Sequence, residues 1–185
     1  MPLAIHSGPT RHRAVFMDRD GVINRNRNDY VKSWDEFELI PHAIEAMALI
    51  STSGRDLIVL TNQSAIARRL ITREAVDEIH ERLAALVADR GGSIKAFVVC
   101  PHAPEDHCDC RKPAPGLFYR AQQELQVDLA AAVMIGDQTS DVQAARAAGC
   151  EAILVDPLGK LNLPDGLECT VVSSLLEAAR VVCTA

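Results

Sequence analysis

Short apolar runs alternate along this chain with longer stretches in which apolar residues recur every three or four positions. Residues 14–17, 56–60, 94–99, 132–135 and 152–155 are brief and nearly continuous in apolar character, as buried strands are. Between them, residues 73–89 place Val76, Ile79, Leu83, Leu86 and Val87 on one helical face, with Thr72 positioned as a cap. Residues 41–51, 115–126 and 141–148 predict further helices. Pro41 opens the first, Gly54 follows it, and Gly149 closes the last. A short strand at 170–172 and a helix from about Ser174 complete the pattern. Strictly alternating strands and helices predict an α/β fold: a mostly parallel central sheet, helices on both faces, and right-handed crossovers.

Two segments interrupt the alternation. Residues 25–37 are polar and carry Tyr30 and Trp34, and residues 100–115 are rich in Pro, His, Cys and Asp. Loops of that length are usually functional or tied down. Both leave the carboxyl ends of predicted strands, where open α/β sheets collect ligands and chemistry.

Four polar signals sit at such strand ends. The first is Asp18-Arg19-Asp20-Gly21, with two carboxylates two residues apart. The second is Thr61-Asn62, the third Arg111-Lys112-Pro113, and the fourth Gly136-Asp137-Gln138-Thr139-Ser140-Asp141. Each has an ordinary explanation taken alone: a solvated turn, a strand finishing, a basic loop, or a helix start capped by Asp137 or Ser140. Together they gather carboxylates, a hydroxyl and an ammonium on one rim. Carboxylates hold a hard cation, and Thr and Lys bind phosphate oxygens, so the set points to phosphoryl transfer.

The chain's length of 185 residues and its 48% apolar and 24% charged residues fit one compact domain spanning residues 1–185, not two. A net charge of -6 offers no general attraction to nucleic acid or to an anionic membrane, so an anionic substrate needs a local positive site. Residues 1–13 have no long apolar core and carry Arg11, His12 and Arg13, unlike a secretory signal or a membrane span.

The six cysteines divide into two groups. Cys150, Cys169 and Cys183 are scattered, as small apolar residues are. Cys100, His102, Cys108 and Cys110 fall within eleven positions and supply the three sulfurs and one nitrogen of a closed tetrahedral zinc site, with His107 an alternative fourth ligand. Four protein ligands leave no open position, which makes this zinc structural, and it tethers Arg111 and Lys112 at the mouth of the site. Absence of a disulfide framework fits a reducing cytoplasm.

The ordered motifs DxDG, TN, RKP and GDxxxD resemble those of the haloacid dehalogenase superfamily of aspartate-nucleophile phosphatases, over roughly residues 13–156. With TNQS and the Cys-His-Cys-Cys loop, the chain is similar to the branch of heptose bisphosphate and histidinol-phosphate phosphatases. The resemblance implies a Rossmann-like three-layer sandwich with a zinc-stabilised loop and no large cap domain. It also implies roles: Asp18 as nucleophile, Asp20 as general acid and base, Thr61 and Lys112 on the phosphoryl group. Magnesium is then held by Asp18, the backbone carbonyl of Asp20 and Asp137, and Asp141 supports the site. Asn26, Asn28, Asn62, Gln63, Ser64 and Arg111 are the expected substrate contacts. The partner is a small phosphorylated metabolite, taken up by a cytoplasmic monomer that binds neither nucleic acid nor membrane.

For the substrate, the stretch from Thr61 to Arg68 looks like the heptose branch. The polar loop with Arg25, Asn26, Arg27, Asn28 and Lys32 suits hydroxyls and a second phosphate. The five residues between His102 and Cys108 resemble the shorter loop of histidinol phosphatases. Two non-enzymatic readings stand beside these, a phospho-acceptor module and a zinc-loop interaction protein. The first leaves GDxxxD and Asp20 without a purpose; the second leaves a full catalytic set unused.

Overall fold

The computed structural model describes residues 13–184, so the reading of residues 1–12 lies outside the described residues. Six strands form one sheet among them: β1 (Ala14–Met17), β2 (Asp56–Asn62), β3 (Ala96–Cys100), β4 (Val133–Gly136), β5 (Glu151–Val155) and β6 (Thr170–Val172). Their spatial order is β3-β2-β1-β4-β5-β6, and every neighbouring pair is parallel. The sheet is thus wholly parallel, a stronger statement than the mostly parallel expectation.

Helices α1 (Ala43–Thr52), α3 (Arg73–Ala88) and α6 (Leu175–Thr184) pack on one face, and α4 (Gly116–Leu125) and α5 (Thr139–Ala147) on the other. A four-residue helix, α2 (Ser64–Ala67), follows β2. Side chains of β1 divide by pleat: Val15 and Met17 enter the first layer, Ala14 and Phe16 the second. That burial on both faces explains why the parallel strands read as unbroken apolar runs. Among the described residues, no helix is long and apolar enough to cross a membrane.

Several boundaries shift for identifiable reasons. His42 has φ 64° in the left-handed region, so α1 starts at Ala43 and Pro41 lies outside it. Helix α5 starts at Thr139, because Asp141 Oδ2 accepts from the Gln138 N–H at 3.0 Å and caps the turn itself. The expected cap on α3 is present, with Thr72 Oγ1 accepting from Ala75 N.

The 25–37 loop is tied down. Trp34 and Phe37 stack at 5.1 Å, and the Arg82 guanidinium of α3 lies over the Trp34 ring. Sheet order places a topological switch between β1 and β4, since the chain leaves β1 toward β2 in one half and β4 begins the other. A crevice opens there above the strand ends.

Candidate active site

Strand β1 delivers Asp18 to the crevice. Its backbone N–H donates to the Ile135 carbonyl of β4 at 2.9 Å, so the side chain stands beside the β4 exit. Lys112 reaches it from the cysteine-rich loop: Nζ lies 2.9 Å from Asp18 Oδ1 and 2.7 Å from Asp141 Oδ1, and donates to the Leu60 carbonyl. The ammonium is buried, and the two carboxylates outweigh its desolvation and push its pKa upward.

One carboxylate oxygen each from Asp18, Asp137 and Asp141 lies within 4.8 Å of the others. Two glycines make this approach possible. A side chain at Gly21, which has φ +92°, would meet Asp137 Oδ2, and one at Gly136 would meet Asp141. Burial pushes the Asp18 carboxyl up to about 7 against the pull of Lys112, and Asp141, Asp137 and Asp20 add to the rise. Burial likewise raises Asp137 to about 6, and its Oδ1 has no hydrogen-bond partner among the described residues. Among the described residues, the clustered carboxyl groups of Asp18, Asp137 and Asp141 have one cation in ion-pair contact, Lys112, which touches only Asp18 and Asp141. Oxygen donors gathered in this way fit a hard divalent cation.

Asp20 is held differently. Arg19 Nη2 donates to both its oxygens at 2.9 and 2.8 Å, Asn24 Nδ2 to Oδ1 at 2.9 Å, and Gln63 Nε2 to Oδ2 at 2.7 Å. Burial alone would raise this carboxyl, but the Arg19 charge and these hydrogen bonds outweigh it and hold it below the ordinary value. Neighbouring aspartates two residues apart are therefore driven in opposite directions.

Asp18, Asp20, Gln63, Lys112 and Asp141 border a cavity of about 240 Å³ whose wall also includes Asn26, Thr61, Asn62, Ser64 and Arg111, while Asp137 lies outside that wall. Asn28 is exposed and outside that wall. Asn62 and Gln63 border the cavity, yet their amides are engaged. Asn62 Nδ2 donates to the Lys112 carbonyl and Asn62 Oδ1 accepts from the Lys112 N–H, both at 3.1 Å. Lys32 and Arg27 of the polar loop are paired with Asp29, and Arg25 with Glu38. The sequence reading missed Arg19, Asn24, Gln138 and Ser140. Arg19 is 1% exposed, and nothing in the primary structure marks an arginine for burial. Asn24 is buried against Asp20 four residues earlier; Gln138 donates to Asp137, and Ser140 borders the cavity.

Beside this centre, Cys100, His102, Cys108 and Cys110 converge. Cys110 Sγ is 3.2 Å from Cys100 Sγ and 3.5 Å from Cys108 Sγ, and His102 Nδ1 is 3.3 Å from Cys110 Sγ. These separations exceed any disulfide bond and approach the roughly 3.8 Å edge of a tetrahedron with 2.3 Å metal–sulfur bonds. All six cysteines are free, and His107 is exposed and outside the cluster. The cluster could hold one metal ion with no position left open.

A doubly wound sheet with a buried aspartate–lysine pair and a carboxylate cluster at its switch point is an arrangement suited to metal-assisted phosphoryl transfer. A family model described as HAD-hydrolase-like matches residues 109–162. The chain is 44% identical over 158 residues to the D-glycero-beta-D-manno-heptose-1,7-bisphosphate 7-phosphatase of Pseudomonas aeruginosa, covering 82% of this chain and 88% of that one. It is 39% identical to the enzyme of that name from Escherichia coli, over 82% of this chain and 83% of the other. Among solved structures, D,D-heptose 1,7-bisphosphate phosphatase from B. bronchiseptica, complexed with magnesium and phosphate, superposes with a TM-score of 0.85. That pair is 34% identical, over 93% of this chain and 98% of the other. The protein belongs to the haloacid dehalogenase-like hydrolase family.

Proposed function

We propose that the protein is a magnesium-dependent phosphatase that removes the 7-phosphate of D-glycero-D-manno-heptose 1,7-bisphosphate. The observation that carries this reading is the Lys112–Asp18 contact inside a carboxylate cluster, in a chain 44% identical to an enzyme named for that reaction.

An Asp18 oxygen attacks phosphorus while the bond to the leaving sugar oxygen breaks and Asp20 gives that oxygen a proton. Water then attacks the aspartyl phosphate, Asp20 takes its proton, and the Asp18–phosphorus bond breaks to release inorganic phosphate. Arg19, Asn24 and Gln63 favour the ionised form of Asp20 before substrate arrives. The negative phosphoryl group entering beside it opposes that state and favours uptake of the proton the first step needs. Thr61 and Lys112 hold phosphoryl oxygens, and Asp141 holds Lys112. Asp18, the backbone carbonyl of Asp20 and Asp137 would hold magnesium, which supplies positive charge to the phosphoryl oxygens when bound. Arg111, Asn26 and Ser64 line the path to the rest of the sugar.

Zinc on Cys100, His102, Cys108 and Cys110 would order the loop that ends in Arg111 and Lys112, its binding free energy of about 10–16 kcal/mol being ample for a segment of that size. The free thiols support a reducing cytoplasm as the place of action.

The experiment is a phosphate-release panel: both anomers of the heptose bisphosphate, histidinol phosphate and simple sugar phosphates, each with and without magnesium. The expected result is magnesium-dependent release fastest from a heptose bisphosphate. Faster release from histidinol phosphate would sink the substrate, and full activity of Asp18→Asn would sink the mechanism.

A further inference from the structure

The side chain of Gln63 sits between two groups that the reaction uses at different moments. The residue is 4% exposed at the exit of β2, and its backbone N–H donates to the Cys100 carbonyl at 2.8 Å, which locks it to the end of β3. A carboxamide nitrogen carries two hydrogens. Here one is directed to Asp20 Oδ2 at 2.7 Å and the other to Thr61 Oγ1 at 2.9 Å. The reverse amide orientation would set the carbonyl oxygen against an ionised carboxylate at that separation, so the chemistry dictates which atom faces Asp20.

Both hydrogens of this amide nitrogen are therefore spent inside the protein, on residues 43 and 2 positions away in the chain. The consequence for Thr61 is directional. A hydroxyl has one hydrogen, and with a lone pair engaged by Gln63 that hydrogen is left for the cavity Thr61 borders. For Asp20, Gln63 holds one oxygen from the β2 side while Arg19 and Asn24 hold the carboxylate from the β1 side.

We propose that Gln63 is a positioning residue: it fixes the Asp20 carboxylate against the Thr61 hydroxyl and turns the Thr61 O–H toward the phosphoryl group, with neither of its amide hydrogens given to substrate. This rests on the phosphatase reading above, and it revises the expectation that Gln63 binds substrate. A residue of this kind acts on the alignment of reacting groups, where a displacement of about 1 Å can cost on the order of 10²-fold in rate. A substrate contact would instead give binding shared by ground and transition states.

The test has two arms. In the first, the side-chain amide protons of Gln63 are followed by NMR in ¹⁵N-labelled wild-type protein. Both are expected to exchange with solvent slowly, and Thr61→Val is expected to speed exchange of one of them by up to about tenfold, the worth of a single hydrogen bond. In the second, turnover of a simple aryl phosphate is measured for Gln63→Ala and Gln63→Glu. Gln63→Ala is expected to lower kcat roughly 10- to 100-fold with KM changed less than about threefold. Gln63→Glu, which turns the donor into an acceptor, should be worse than Gln63→Ala. Gln63 protons exchanging at the rate of a free amide, or a raised KM with kcat kept, would overturn the proposal. Protected protons in a wild-type protein that releases no phosphate from any monoester would overturn instead the phosphatase reading beneath it.

Discussion

Lys112 Nζ touches Asp18 Oδ1 at 2.9 Å although the two residues are 94 positions apart, and both side chains are almost wholly removed from solvent. The ammonium serves Asp141 as well, so one cation balances two buried carboxylates. Replacing it by the apolar Lys112→Met should leave those charges uncompensated, a change that typically costs about 3–5 kcal/mol. Denaturant melts should show that loss, with phosphate release reduced below about one part in a thousand of the wild-type rate. A variant as stable and as active as the wild type would contradict the pairing.

Gly21 has a second, separable consequence. Its φ of +92° and the proximity of Asp137 leave no room for a methyl group. Gly21→Ala should displace the Asp137 carboxylate and weaken magnesium binding by roughly tenfold or more, as loss of a ligand's support does. Titration calorimetry would measure it, and an unchanged affinity would mean that Asp137 does not take part.

The thiol cluster predicts a stoichiometry. Metal analysis of purified protein should find about one zinc per chain, and none in Cys110→Ser after dialysis against a chelator. Activity of the stripped chain should fall and should not return on adding magnesium. Normal phosphate release from zinc-free protein would separate the loop from the catalytic centre.

His80 sets a pH dependence of a different origin. It is 3% exposed and stacks on Phe97 at 4.2 Å; burial, with help from Arg19 and Arg73, lowers its pKa from 6.5 to about 3. The unfolded chain therefore binds a proton between those values that the folded chain does not, so this residue's contribution weakens as pH falls from 6.5 toward 3. His80→Phe should remove that loss. At pH 5 it should gain on the order of 1–2 kcal/mol relative to its effect at pH 8, read from urea unfolding at both values. An equal effect at the two pH values would show that His80 does not titrate in this way.

How much of this was legible beforehand depended on whether a feature is local. The strands were readable because a strand covered on both sides must be continuously apolar, and β1 at Ala14–Met17 coincides with its predicted run. Helix α2 was invisible, since four residues complete scarcely one turn and carry no periodicity. The chemical groups were legible as strand-end motifs, but their mutual contacts were not. That Asn62 binds the backbone of Lys112, fifty positions on, follows only from the sheet placing β2 beside the loop leaving β3. The burial of Arg19 was hidden for the same reason, because its counter-ion is local but its shielding by Phe37 comes from another segment.

The thiol-bearing loop has two unequal halves. Cys110 is followed directly by Arg111 and Lys112, and Asn62 grips the Lys112 peptide, whereas Pro104–Asp106 form an exposed turn ending at an outward-facing His107. That turn lies outside the cavity wall, and its ion pair, Glu105 with Arg68, runs to the end of α2 and not to the ammonium beyond the last sulfur. The exposed half of the loop is therefore separated by the thiol cluster from the half whose position fixes the ammonium.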